Sequence, residues 1–354
     1  MVKLDVVHSA NAALVQSQPL VAVFFGGTGG IGSYTLRALA NAEAKSGGKG
    51  VRAYVVGRKP QAAEEILSAC RKICPQGQFR FVQADDLSLI QGVDKVCAEI
   101  IELEEKEGQD ARIDYLMLSQ GGAIFLPRKD TKEGIDVTMS LLYYSRMRVI
   151  LRLLPLLLKS NLPPRVVSVY AAGMEEKLFP DDLSLRDLKR YNYNQARSHM
   201  VYMHTLFMEA LEQQNAGKIG LVHIFPGLVL GPGFQNPELP SWFRFIWRFI
   251  FVPLFGKMLT VPTEESGARM LSLASPRYAP KGGADFKKDE GIGGLATGTD
   301  GTPGSGVYAL SWEGESNIKL KAYEKFNKDE MRKKVYDHTM NAFEVTAQGG
   351  VFTE

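Results

Sequence analysis

"AVFFGGTGGIGSYTLRALA" (residues 22–40) sets Gly26, Gly30 and Gly32 between an apolar β-branched run and a helical pattern. Such a junction asks the backbone to turn tightly at the first glycine, to admit a pyrophosphate near the second and to pack helix on strand at the third. A helix N-terminus then faces the anion. A glycine string alone is a weak signal, and a purely structural turn is the competing reading. The strand before it and the helix after it favour a nucleotide.

Outward from that stretch the same alternation continues. "VRAYVV" (51–56), "QFRFVQA" (78–84), "IDYLMLS" (113–119), "PRVVSVY" (164–170) and "IGLVHIF" (219–225) read as strands, and helical stretches separate them. The helices leave room for right-handed crossovers, so the expected fold class is α/β, a doubly wound parallel sheet with helices on both faces. "GSGVYALSW" (304–312) adds a last strand. The domain plan is a leading helix over 1–19, one domain over 20–312 and a helical C-terminal extension over 313–354. Within the domain, residues 281–304 are Gly-rich, charged and without periodicity, which predicts a mobile loop. Its "GIGGLATG" has no strand before it and no helix after it, so it is not a phosphate loop.

Composition narrows the function classes. The chain has 354 residues, 45% apolar and 23% charged, which is ordinary for a globular protein. Lysine plus arginine outnumber the acids by only 42 to 39, too even for a nucleic-acid footprint. Three cysteines form no disulfide framework, which points to a reducing, cytoplasmic compartment. No metal set is legible: Cys70 and Cys74 lack further ligands nearby, and His199 and His204 are roughly 140° apart on a helix. Residues 1–19 lack the pattern of a signal peptide, and no uncharged apolar run of about 18 residues exists to span a membrane.

The glycine spacing G-x-x-x-G-I-G, Gly26 to Gly32 with Thr28 and Ile31 inside it, resembles that of the short-chain dehydrogenase/reductase superfamily, a Rossmann-type fold. Further stretches agree in order. "ADDLSL" (84–89), with Asp86 and Leu87, resembles the family's Asp-Leu beside the adenine. "IDYLMLSQGG" (113–122), with Ser119, Gly121 and Gly122, stands where the family has Asn-Asn-Ala-Gly. "FPGLV" (225–229) is similar to the Pro-Gly loop beside the nicotinamide, which implies roles for Pro226, Gly227 and Val229. At the end of the second strand, "VVGRKP" has Gly57, Arg58 and Lys59 where an acidic residue would select NAD(H). Arg58 can clamp a 2′-phosphate, so NADP(H) is the expected cofactor and NAD(H) the less favoured one.

The resemblance also implies a catalytic set of serine, tyrosine, lysine and asparagine, and none of the four transfers cleanly. Along "RVVSVYAAG" (165–173) the serine falls at Ala171, beside Tyr170. Counting back from Pro155, the asparagine falls near Leu142 or Tyr143. "RYNYNQARSH" (190–199) offers three registers for tyrosine and lysine: Tyr191 with Gln195, Asn192 with Ala196, or Tyr193 with Arg197. Counting back from "TLFMEAL" (205–211) favours the middle, chemically empty one. Without the lysine an unperturbed tyrosine used as a base at neutral pH forfeits about 4 kcal/mol, whereas a neutral tyrosine still donates a proton. The expected direction is therefore reduction, with Tyr191, Tyr193 and Tyr170 as candidate catalytic residues. Plain packing roles for these tyrosines compete. The eroded set resembles a divergent branch of the superfamily found in fungal natural-product pathways.

"PSWFRFIWRFIFVPLFGKML" (240–259) follows the Pro-Gly loop, where the family places its substrate lid, here expected over 234–262. Its aromatics suit a bulky apolar substrate. A peripheral membrane contact or partner interface, and plain core, remain open. Three functions follow: an NADPH-dependent reductase of a carbonyl or conjugated double bond in secondary-metabolite biosynthesis, a non-redox cyclase or isomerase in the same pocket, and a cofactor-sensing binding module. Family members form dimers and tetramers, and the C-terminal extension could block or replace such contacts.

Overall fold

A computed structural model describes residues 1–121, 127–231, 239, 241–282 and 294–354. Among the described residues there are seven strands: β1 (Leu20–Phe25), β2 (Val51–Gly57), β3 (Gln78–Gln83), β4 (Tyr115–Leu118), β5 (Arg165–Val169), β6 (Gly220–Ile224) and β7 (Val307–Leu310). They hydrogen-bond in the order β3-β2-β1-β4-β5-β6-β7, and every pair is parallel. The doubly wound sheet and all its anticipated strands are thus observed. Helices cover both faces, which is why β1, "LVAVFF", is buried at every position rather than alternating.

The helices are α1 (Leu4–Ser17), α2 (Gly30–Ser46), α3 (Pro60–Ile73), α4 (Ile90–Glu105), α5 (Val137–Met139), α6 (Ser145–Leu157), α7 (Tyr193–Gln214), α8 (Ser241–Ile246), α9 (Val252–Leu259), α10 (Thr263–Ser272), α11 (Leu320–Tyr323) and α12 (Lys328–Ala347). One face of the sheet packs on α4, α6 and α7, with Ile100, Ile150 and Phe207 in a common core. The other face packs on α2, α3 and α10, through Leu36, Leu67 and Leu271. A π-turn over Ser140–Tyr144 joins α5 to α6 and resets the face that α6 presents to the sheet.

β1 pairs with β2 on one side and β4 on the other, so the winding direction reverses there. At such a switch point the connections diverge and open a crevice at the carboxyl ends of the strands. The turn after β1 and the segment Ser119–Gly121 after β4 line that crevice.

The extension after β7 is integral to the core. Val335, Ala342 and Phe343 of α12 join the cluster that contains Met203, Leu206 and Phe207 of α7. Beyond α12, Phe352 is 2% exposed, and its N–H donates to the Glu133 carbonyl. The expectation of a mobile loop over 281–304 needs correction in its second half. Residues 294–304 are pinned: Ala296 N–H donates to Arg277 O, Gly304 N–H to Ala296 O and Thr299 N–H to Val307 O, with Ala296 and Thr299 buried. Residues 283–293 lie outside the described residues. Among the described residues no helix is long and apolar enough to cross a membrane.

Candidate functional site

The glycine turn has the backbone that its sequence demands. Gly26 and Gly30 have φ of +79° and +55°, in the left-handed region that favours glycine. A Cβ on Gly32 would lie 2.6 Å from both the Gly26 carbonyl oxygen and Ser119 Oγ, so helix α2 can approach β1 only without one. A Cβ on Gly57, at the end of β2, would sit 2.4 Å from the Thr28 side chain, so Thr28 packs against the backbone just before Arg58. Arg58 is exposed and makes no hydrogen bond or ion pair among the described residues, so its five donors are available to a phosphate.

The second wall of the crevice is the Pro226–Val229 loop. Gly227 has φ +72°, Val261 N–H donates to Leu228 O at 2.8 Å, and Tyr34 Oη of α2 donates to Leu230 O at 3.1 Å. Gly231 approaches the Gly30 Cα, so this loop closes over the glycine turn. Two of the expected contacts serve the scaffold instead. Ser119 Oγ donates to Phe25 O at 3.0 Å, holding the turn from beneath, and the exposed Asp86 carboxylate accepts from Ser88 N and Oγ. Leu87 is buried in the core. Gly121 is exposed at the crevice, and Gly122 lies outside the described residues.

At the chemical end the structure separates the three registers. Asn192 is the N-cap of α7, its Oδ1 accepting from Gln195 N at 3.0 Å, so the register favoured by counting is spent on the helix start. Tyr191 precedes the helix and donates to Asp136 Oδ1 at 2.8 Å; burial and that carboxylate push its pKa up. Tyr193 and Arg197 both lie in α7, one turn apart, with the guanidinium carbon 5.4 Å from the Tyr193 ring centroid. Burial raises the Tyr193 pKa, and Arg197 opposes the rise. Of the three registers, only Tyr193 and Arg197 fall one turn apart within α7, whereas Tyr191 precedes the helix and Asn192 caps it.

Tyr170, at the end of β5, stands with this pair. Its pKa is raised by burial and by Tyr193, and lowered by Arg146 and Arg197, all of which lie close enough to act on it. Its hydroxyl is buried without a hydrogen-bond partner, as are Arg197 Nε, Gln120 Oε1 and Gln195 Oε1. Ala171, in the serine position, only donates its N–H to His223 Nε2 at 3.2 Å. Tyr143 is turned away, its hydroxyl bonded to Thr339 Oγ1 of α12, and Leu142 contacts Gly121.

Sequence reasoning missed what lies behind Tyr170. Its ring stacks on His204 and His223, at 5.5 and 6.1 Å between centroids, and those two imidazoles stack on each other at 4.6 Å. The Met200 carbonyl can only accept, so His204 Nδ1 carries the proton to it and Nε2 accepts from Ser168 Oγ. Burial holds both imidazoles neutral, His204 down to about 3 and His223 well below its usual value.

Beside the stack, Arg146 is 1% exposed. It donates to Gln120 O at 2.6 Å, Val169 O at 2.7 Å, Ser168 Oγ at 3.0 Å and Leu141 O at 3.3 Å. Desolvation lowers its pKa to about 10, which leaves it cationic at neutral pH. Arg146 was legible in "SRMRVILR": residues two apart on a helix point nearly opposite ways, so Arg146 and Arg148 cannot both reach solvent. Arg148 takes the outer face and pairs with Asp94 at 2.7 Å.

The expected lid over 234–262 is described in part; residues 234–238 and 240 lie outside the described residues. Trp242, Phe245 and Phe249 of the following helical segment are 65%, 60% and 59% exposed. Plain core is thus excluded for this face. Among the described residues no cluster of three or more His, Cys, Asp and Glu side chains could hold a metal.

No protein-family model matches the chain. It is 37% identical over 353 residues to "Short-chain dehydrogenase/reductase SAT2" of Stachybotrys chartarum, covering 98% of each chain. It is 35% identical over 345 residues to "Oxidoreductase AN1596" of Emericella nidulans, covering 96% of this chain and 97% of that one. Among solved structures, a Pseudomonas aeruginosa RhlG/NADP active-site complex matches with a TM-score of 0.53 at 19% identity, covering 75% of this chain and 93% of the other.

Proposed function

The chain belongs to the short-chain dehydrogenase/reductase family as an oxidoreductase of that type, and from that premise we propose that it is an NADPH-dependent reductase of a carbonyl group or conjugated double bond in a bulky apolar metabolite of a biosynthetic pathway. The observation that carries this reading is the placement of Tyr193, with Arg197 one turn on, beside the unpartnered hydroxyl of Tyr170. Burial keeps the Tyr193 hydroxyl protonated at neutral pH, and Arg197, which opposes the rise, favours release of that proton, which supports a donor role in reduction. Tyr193 would hold the proton destined for the oxygen of a carbonyl group or, in a conjugated carbonyl compound, for the carbon α to it. Arg197 would then stabilise the phenolate left behind.

The residues present fit a phosphorylated dinucleotide. Gly26, Gly30 and Gly32 would admit its pyrophosphate, Arg58 would take a 2′-phosphate, and Pro226, Gly227 and Val229 would face its reactive ring. When bound, the cofactor supplies a hydride to the substrate. The exposed aromatics of α8 and the segment after it support an apolar substrate, met by a lid.

Titration with NADPH and NADH, followed by nicotinamide fluorescence, tests the cofactor end. Tight binding of NADPH alone is expected; equal binding would remove the role given to Arg58. Turnover of candidate ketones with stoichiometric NADP⁺ is the expected outcome. Product formed without NADPH consumption would instead favour a cyclase or isomerase.

A further inference from the structure

Resting on the reductase reading, we infer that the cluster of Tyr170, Tyr193 and Arg197, backed by Arg146, is an oxyanion site, so that the preferred substrates are carbonyl compounds carrying an ionised oxygen, an enolate or a carboxylate. Three observations converge. The Tyr170 hydroxyl and Arg197 Nε are buried donors without protein acceptors. Buried donors are rarely left so unless a ligand completes them.

The charges are also one-sided. Neither Arg146 nor Arg197 has a carboxylate within ion-pair distance among the described residues. Arg146 gives its protons to three carbonyl oxygens and a hydroxyl, which satisfy its hydrogen bonds but not its charge. A buried cation without a counter-ion is costly to keep. Asp136, which accepts from Lys129 N, Met139 N and Tyr191 Oη, forms no ion pair with either arginine among the described residues.

The third observation concerns direction. The tyrosines keep their protons at neutral pH and present O–H donors, and the histidines behind them are neutral and add no competing charge. Gln120 Oε1 is an acceptor, yet its amide bonds only the Ser145 hydroxyl, which donates or accepts, so either end of that amide can face the ligand. Arg146 is a positioning residue: its guanidinium carbon lies 5.8 Å from the centroid of the Tyr170 ring, and it reaches the ligand only through its field and through Tyr170.

Calorimetric titration of the full chain, saturated with NADP⁺, with 2-naphthoate and its neutral analogue 2-naphthalenemethanol tests the site. The wild type should prefer the carboxylate by about tenfold or more, the scale of a screened, partly buried charge pair. Arg146→Met and Tyr170→Phe should each erase most of that preference, lowering the carboxylate's affinity far more than the alcohol's. Arg146→Lys should restore it in part, since it keeps the charge. A merely structural role for Arg146 would weaken both probes alike. No carboxylate preference in the wild type, no binding of 2-naphthoate, or a preference that survives both Tyr170→Phe and Arg146→Met would each overturn the inference. NADPH binding is measured separately: a carboxylate preference in a chain that binds no NADPH would keep the oxyanion site and sink the reductase.

Discussion

Two glycines allow the cofactor turn to be tested against a matched control. Gly26 and Gly47 both have left-handed backbones, with φ of +79° and +63°. They differ in surroundings: a Cβ on Gly47, the C-cap of α2, meets nothing within 4 Å, whereas on Gly26 it would lie 2.6 Å from the Gln120 amide nitrogen and 2.8 Å from the Ser119 carbonyl carbon. Alanine at position 47 therefore costs only the left-handed strain, about 1–2 kcal/mol. At position 26 an overpacking cost of about 1–3 kcal/mol adds to it, because the obstructing atoms are backbone of β4's exit and cannot rotate aside.

Gly26→Ala should thus destabilise by roughly 2–5 kcal/mol in urea unfolding, against about 1–2 kcal/mol for Gly47→Ala. The shift also falls on the amides that face the pyrophosphate, so NADPH affinity should drop by at least about tenfold, equivalent to 1.4 kcal/mol, in Gly26→Ala alone. Equal destabilisation of the two variants would refute the packing argument. Unchanged NADPH affinity in Gly26→Ala would refute the assignment of this turn to the cofactor.

Arg58→Ala should weaken NADPH by about 10- to 100-fold and leave NADH nearly unchanged, on the scale of a charge-assisted phosphate contact, and equal losses for both would remove the discrimination. Tyr193→Phe should lower kcat by about 100-fold or more with little change in NADPH affinity, whereas Tyr191→Phe should cost only about 1 kcal/mol of stability through its lost bond to Asp136; the reverse ranking in steady-state assays would move the proton donor. Acid should unfold the chain steeply. His199, His204 and His223 are buried neutral, with pKa lowered to about 4, about 3 and well below normal, so the unfolded state takes up protons that the folded state refuses. Their contribution is intact above the unfolded pKa near 6.5 and is lost as pH falls below it, at about 1.4 kcal/mol per pH unit for each histidine. With His338 also held neutral by burial, His204→Asn should flatten the slope by about one quarter in urea midpoints from pH 7 to 4.5; a slope that stays unchanged would mean that His204 titrates in the folded chain.

The sheet was legible because strands buried on both faces leave unbroken β-branched runs, and the glycine turn because each of its glycines answers a separate steric demand. The tyrosine pair was not legible by counting. One residue of register turns a helix by 100°, and the start of α7 is fixed by the Asn192 cap, while Asn194 two positions on is an equally good capping residue by type. The helix spacing of Arg146 and Arg148 told that one of them turns inward, but the partners of Arg146 are carbonyl oxygens, which leave no mark on sequence. The histidine stack was equally hidden: His204 and His223 come from a helix and a strand, and only the crossover brings them to 4.6 Å. Residues 294–304 looked structureless because their order comes from backbone bonds to Arg277 and Val307, which glycine-rich composition does not report.

The docking of α12 on α7 has a temporal side. The helix that presents Tyr193 and Arg197 shares its core with Val335, Ala342, Phe343 and Phe352. During synthesis the seven strands and α7 leave the ribosome before those residues do, so the outer side of α7 stays bare while the glycine turn can already close. Met203, Leu206 and Phe207 stand open to chaperones until α12 arrives.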